Sequence, residues 1–458
     1  MTRQRELMLN TFQMSTPTHT WAGLWRHPGD RSVDYNKLEY WTTMAQTAER
    51  GLLDGIFVAD VFGVYDVYGG GPETAIRAGA QAPSADPTIA VSAMAHVTRH
   101  IGFGITANLT YEHPFQFARR FSTLDHFTEG RIGWNIVTGY LNSGAKGMGL
   151  DVVREHDERY EAAEDFMAAV YKLWEGSWEE NAAVRDRETG IFTHPERVHP
   201  VHHDGPYYKV HARHLSEPSR QRTPVLYQAG TSARGTAFAA KHAECVFLNG
   251  PTREIASRSV KALREQARSF GRDPYDVAVF LAATVVVAPT TAEAHDLVAE
   301  YRRYLDIAGQ LALVAGWTGI DFSKMSLDDT VKFFKSNAIR STVENMTVSA
   351  PKPVQVRDLV EFSNVGARAP FIVGSPADVA EELIGWADAT DVDGFNLVRV
   401  VSPGSLESFV DLVVPELQSR GAFKREYREG SLREKMFGQS ARLNARHPGA
   451  AARRFDRL

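Results

Sequence analysis

Polar side chains recur at the ends of short apolar runs, and these are the first residues in the sequence able to do chemistry. Asp60 follows Gly55-Ile56-Phe57-Val58-Ala59, and Asn108 ends the run that starts at Ile101. Asn135 and Thr138 lie along and just past Gly133-Trp134-Asn135-Ile136-Val137. Barrel enzymes carry their binding and catalytic groups at the C-terminal ends of their strands. Each residue alone reads equally well as a strand-end hydrogen bonder or a helix cap; their convergence on one rim is harder to explain that way. The run Gln228-Ala229-Gly230-Thr231-Ser232-Ala233-Arg234-Gly235 is the most informative. It joins an apolar run to a helical one, exposing backbone N–H groups at a helix N-terminus and adding the Thr231 and Ser232 hydroxyls beside Gly230. That is a phosphate seat by geometry and by helix dipole. An ordinary Ser/Thr cap accounts for the same letters equally well.

Other motifs fail on their context. Gly102-Phe103-Gly104-Ile105-Thr106-Ala107 fits G-x-G-x-x-A, but a dinucleotide site needs a strand before it and a helix opening within it. Here a helix precedes it and the glycines fall inside a strand pattern, which argues against a nicotinamide site. His194, His199, His202 and His203 crowd one segment at irregular spacing without a carboxylate at ligand spacing, so a solvated loop is the better reading than a metal site. The single cysteine, Cys245, sits in Ala243-Glu244-Cys245-Val246-Phe247 and reads as an inert core thiol.

The elements that must position these residues alternate. Short β-rich runs begin near residues 8, 55, 101, 133, 224, 245, 277 and 394, and most are followed by a helical pattern, such as 38–50, 115–125, 160–174, 292–304 and 406–418. Roughly eight strand-then-helix units in this order predict an α/β fold, a closed (β/α)₈ TIM barrel rather than an open doubly wound sheet. A single domain over 1–440 is expected, with excursions at about 176–222 and 308–372. Such insertions usually arise in βα loops and cover the mouth. The segment from 441 to 458, with Arg442, Arg446, Arg453, Arg454 and Arg457, reads as a frayed end or a subunit-contact arm.

The 458 residues are 43% hydrophobic and 23% charged, with a net charge of -5, which gives no sign of a nucleic-acid surface. No run approaches the ~18 apolar residues of a membrane span, and the N-terminus lacks a signal-peptide pattern, so a cytoplasmic protein is the expectation.

Several blocks together resemble a known family. They are Trp25-Arg26-His27-Pro28, Glu49-Arg50-Gly51, Val58-Ala59-Asp60, Thr123-Leu124-Asp125-His126, Gly130-Arg131, Trp134-Asn135-Ile136-Val137-Thr138, His156-Asp157-Glu158-Arg159-Tyr160, Gln228-Ala229-Gly230 and Val414-Pro415-Glu416-Leu417-Gln418. The chain is similar to the bacterial luciferase superfamily, in the branch of nitrilotriacetate, dibenzothiophene sulfone and dimethyl sulfide monooxygenases. Val64-Tyr65-Asp66-Val67-Tyr68 looks most like the dimethyl sulfide enzyme. The resemblance implies a two-component monooxygenase that uses O₂ and reduced FMN delivered by a separate NAD(P)H:FMN reductase, assembled as a homodimer or homotetramer. It also implies an FMN site built by Asp60, Asn108, His156, Tyr160 and Ser232, although the family often carries Ser or Thr at the Asn108 position. His156 and Tyr160 are four apart, hence on one helix face; without the resemblance they read as a polar helix start. Acid–base work near neutral pH suits histidine, with His19 the first candidate and His113 the second. Phe12, Phe57, Phe62 and Trp134 are candidates for a dry wall. An organosulfur substrate calls for an apolar pocket, whereas an aminopolycarboxylate calls for cations, for which Arg26, Arg119 and Arg120 stand nearest. A deazaflavin-dependent oxidoreductase and a non-catalytic flavin-binding barrel remain the alternatives.

Overall fold

A computed structural model gives the structure of the protein and describes residues 6–230, 232–331, 354–364 and 370–453. Eight parallel strands close into a barrel in the order β1 (Met8–Met14), β2 (Gly55–Ala59), β3 (Gly102–Asn108), β4 (Ile132–Val137), β7 (Val225–Gln228), β8 (Cys245–Leu248), β9 (Ala278–Val287) and β11 (Gly394–Val398). Pairing of β1 with β11 and of β8 with β9 leaves no free edge among them. Strand periodicity then sorts the side chains. Leu9, Ile56, Phe103, Ile105, Leu226 and Leu281 point out to the helices, while Phe12, Phe57, Tyr227, Phe247 and Phe280 fill the lumen.

Glycines in β3 and β4 make room for that filling. A Cβ at Gly133 would stand 2.5 Å from the Tyr227 ring, and one at Gly102 2.4 Å from Leu432. The G-x-G-x-x-A run is therefore a packing device within a strand, with no phosphate-binding turn. Trp134 faces the helices instead of the lumen: its Nε1 donates to the Ala107 carbonyl at 2.9 Å, and its ring meets Phe117 of α4 (Pro114–Phe127) and Phe166 of α6 (His156–Gly176). Phe62 is 45% exposed. Of the four aromatics expected at a dry wall, only Phe12 and Phe57 line the lumen.

The two excursions differ in kind. The first lies between α6 and β7, on the helix-to-strand side, so it does not cover the mouth. It carries an antiparallel hairpin, β5 (Val201–Asp204) with β6 (Lys209–Ala212), pinned to α6 where Asp165 accepts from the Tyr207 and Tyr208 amides at 2.8 Å and meets His203 Nε2 at 2.8 Å. His194, His199 and His203 of that segment face carboxylates, His199 meeting Glu179 at 2.7 Å, while His202 packs against the His211 ring. The second excursion follows β9 and sends α10 (Ile307–Thr318) across the mouth side, where its apolar face packs with Ala22, Tyr65, Ala78 and Leu141 from the loops after β1, β2 and β4.

The basic C-terminal segment is docked through Arg453 rather than frayed. Leu432 and Met436, on the helix Leu432–Phe437, join the bottom of the lumen core. Arg433 is buried against Glu244, at 2.6 and 2.9 Å, and donates to the Thr223 and Pro224 carbonyls. Arg446 pairs with Asp276, Arg453 with Glu175 and Arg442 with Glu180. Arginines of the segment that reads in sequence as a frayed end or a subunit-contact arm thus meet acids brought from distant elements. Arg454 and Arg457 lie outside the described residues. Among the described residues no helix is long and apolar enough to cross a membrane.

Candidate active site

Two helix N-termini meet at one side of the barrel mouth. α6 opens at His156, and α7 (Ala233–His242) opens behind Ser232, whose hydroxyl accepts the Gly235 N–H at 3.0 Å as the helix cap. The Ser232 hydroxyl also lies 3.2 Å from His156 Nε2, while His156 Nδ1 faces Asp157 at 2.7 Å. Tyr160, one turn after His156 on the same face, packs its ring 5.2 Å from the imidazole. Its hydroxyl sits in a notch that only glycines allow: a Cβ at Gly230 would be 2.9 Å from that oxygen, and one at Gly235 2.7 Å. Gln228 ends β7 and turns its Oε1 to accept the Gly230 N–H at 2.7 Å. Burial raises the Tyr160 phenol above its usual range, opposed by Arg159 and by the Ser232 and Gln228 hydrogen bonds. The hydroxyl therefore stays a neutral donor. His156, Tyr160, Gly230 and Ser232 are thus brought together, and the convergent helix dipoles favour an anion there. Thr231 lies outside the described residues.

The exits of β3 and β4 form a second cluster. Asn108 Oδ1 accepts the Thr110 N–H at 2.9 Å, and the Thr110 hydroxyl donates to the Thr138 carbonyl at 2.6 Å. Gly139 packs so closely on the Asn108 amide that a Cβ would stand 2.5 Å from Nδ2. Asn135 is deeper, inside the lumen, donating through Nδ2 to the Thr106 hydroxyl at 2.8 Å. Asp60, at the exit of β2, is pushed up to about 6 by burial and by the neighbouring Asp86.

His19 stands over the lumen on the loop after β1, its ring edge-on to Phe12 at 4.3 Å. Burial, with the positive charge of Arg399, holds its imidazole well below the usual range, so it is neutral at physiological pH. Arg399 also braces that loop, donating to the carbonyls of Met14, Thr16 and Pro17. His113 is not brought to the site: it is an exposed N-cap of α4, accepting the Phe115 N–H at 3.3 Å, and its ring faces Tyr208. The sequence reading missed Gln228, Gly235 and Arg399 as parts of the site. Gln228 and Gly235 lay within the phosphate-seat run; nothing local marked Arg399.

The lumen fits a flavin ring in its donor set. His19 Nδ1, Asn135 Oδ1 and Thr284 Oγ1 are buried with no hydrogen-bond partner among the described residues. Buried polar atoms of this kind are costly unless something bonds to them. A planar heterocycle edged with donors and acceptors would do so, and a phosphate tail would reach the helix N-termini.

Comparison with known proteins agrees. A family model described as luciferase-like monooxygenase matches residues 11–392. The chain is 46% identical over 452 residues to a dimethyl-sulfide monooxygenase of Hyphomicrobium sulfonivorans, covering 98% of this chain and 94% of the relative. It is 44% identical to a long-chain alkane monooxygenase of Geobacillus thermodenitrificans, covering 95% of each. A crystal structure of riboflavin lyase with modified FMN and riboflavin superposes with a TM-score of 0.92 at 34% identity, covering 98% of this chain and all of that one. With matches running along nearly its whole length, the chain belongs to the luciferase-like family of flavin-dependent monooxygenases.

Proposed function

We propose that the protein holds reduced FMN with its phosphate at the α6 and α7 N-termini and its ring over the lumen, and oxygenates a small, neutral, sulfur-containing molecule. The observation that carries this reading is the meeting of His156, Tyr160 and Ser232 at two helix N-termini beside a lumen with unpartnered buried polar atoms. Ser232, the Tyr160 hydroxyl and the helix N–H groups would hold the phosphate. Asn108, Asn135, Thr138 and Asp60 would address the ring and its chain. The bound reduced flavin supplies the two electrons with which O₂ is activated. His19, buried and neutral, can accept or donate one hydrogen bond at Nδ1 and so hold a proton at the reacting face without bringing charge into an apolar lumen. Phe12, Phe57 and Phe247 keep that face dry.

The mouth favours a neutral substrate. Above it stand Val61, Tyr65, Tyr140, Leu141, Leu313 and Trp317, whereas the arginines that a polycarboxylate would need are engaged elsewhere or exposed to solvent. Arg26 donates to the Tyr304 and Gly23 carbonyls, Arg120 grips Glu112, and Arg119 is exposed on α4. A dialkyl sulfide fits this wall, as the name of the Hyphomicrobium relative suggests. A separate flavin reductase is needed in this reading, because the one dinucleotide-like run is the interior of β3. Equilibrium ultrafiltration under argon with chemically reduced flavins tests the phosphate seat. FMN is expected to bind at least roughly tenfold more tightly than riboflavin, with Ser232→Ala removing most of the difference. Equal binding of the two flavins by the unaltered protein would sink the seat.

A further inference from the structure

One hydroxyl above the mouth joins four separate segments. Tyr65, on the loop after β2, lies with its ring against the backbone of α10, so close that a Cβ at Gly316 would be 2.0 Å from it. Its hydroxyl is 2.9 Å from Gln81 Oε1, 3.0 Å from the Tyr140 hydroxyl and 3.1 Å from Trp317 Nε1. Gln81 Nε2 in turn donates to the His19 carbonyl at 2.5 Å. The polarity of this network is determined. A carbonyl only accepts, so the Gln81 amide nitrogen faces His19 and its oxygen faces Tyr65. Tyr65 therefore donates its one proton to Gln81, and accepts from the indole N–H of Trp317 and from the Tyr140 hydroxyl. Tyr65, Gln81 and Trp317 are all buried, so the network exchanges little with water.

We propose that Tyr65 is a positioning residue: its hydroxyl latches α10 to the loop that carries His19, and so keeps water from the mouth while oxygen is transferred. The latch rests on the geometry alone; its effect on oxygen transfer rests on the monooxygenase reading. Tyr65→Phe keeps the ring against Gly316 and removes the hydroxyl, and Trp317→Phe keeps an aromatic ring on α10 while removing the N–H together with the rest of the pyrrole ring. Amide hydrogen exchange of residues 307–318, measured without flavin, is expected to quicken at least roughly tenfold in Y65F and less in W317F, with β1–β4 unchanged. In turnover with reduced FMN, O₂ and dimethyl sulfide, the hydrogen peroxide released per O₂ consumed is expected to rise severalfold in Y65F, with flavin affinity unaltered. A role limited to stability would leave that ratio alone. Should Y65F fail to fold, W317F carries both measurements. Unaltered exchange over 307–318 would overturn the latch. Faster exchange with an unaltered peroxide ratio would overturn its role in oxygen transfer. If the unaltered protein oxygenates no sulfide, the substrate reading fails, and exchange alone decides the latch.

Discussion

Asp60 and His113 show what single residues contribute and what the sequence could say of them. The strand-end position of Asp60 was legible from its place after Val58-Ala59, but the proximity of Asp86, distant in sequence, was not. With its carboxyl raised from 3.8 to about 6, the ionised form is disfavoured in the fold. The resulting stability is fully present below pH ~4 and is lost as pH rises to ~6. Asp60→Asn is thus expected to raise the melting temperature at pH 7.5, by an increment on the order of 1–2 kcal/mol for this partly exposed group, and to change nothing at pH 4. Calorimetry of the variant at both pH values checks this, and the same substitution should weaken flavin binding. The placement of His113 away from the other candidates has a local cause. A histidine just before a proline that opens a helix is well placed as an N-cap, and the His113 ring caps α4.

At the scale of elements, the strand-then-helix rhythm was legible because strand runs and helix patterns have different periods. The direction of individual strand residues was less so. β4 is buried on both faces, so Gly133-Trp134-Asn135-Ile136-Val137 has no polar alternation to say that Trp134 looks outward. The hairpin of the first excursion was hidden because a buried histidine, His203, occupies an inward position beside Val201. The joint between α6 and α7 depends on fit between two helices, which neither stretch of sequence reveals alone. Gly235→Ala should drive a methyl group into the Tyr160 hydroxyl and raise the FMN dissociation constant at least roughly tenfold, about 1.4 kcal/mol. Tyr160→Phe combined with it should recover part of that loss. Wild-type affinity in Gly235→Ala alone would contradict the notch.

Across the whole molecule, closure of the barrel and docking of the C-terminal segment decide stability. Arg433→Met would leave Glu244 buried without its main partner, an expected cost of about 3–5 kcal/mol readable as a fall in melting temperature. An unchanged melting temperature would show the segment to be dispensable. The basic composition of 441–458 was legible, but its partners Glu175, Glu180 and Asp276 come from far along the chain. Burial lowers the imidazoles of His19, His214, His242 and His447, His214 to about 4. For these the stability is fully present above the unfolded value near 6.5 and is lost as pH falls below it, by about 1 kcal/mol per pH unit for His214 as pH falls toward 4. A melting temperature that stays flat from pH 7 to 5 would contradict this. The central claim, that this barrel uses reduced FMN to put oxygen into a neutral sulfide, is tested most directly with isotopic oxygen. Protein, photoreduced FMN and dimethyl sulfide are mixed with ¹⁸O₂ in the absence of any reductase or NADH. One ¹⁸O atom in the organic product is the predicted result. Recovery of all the label as hydrogen peroxide and water, with none in any organic product, would contradict the account.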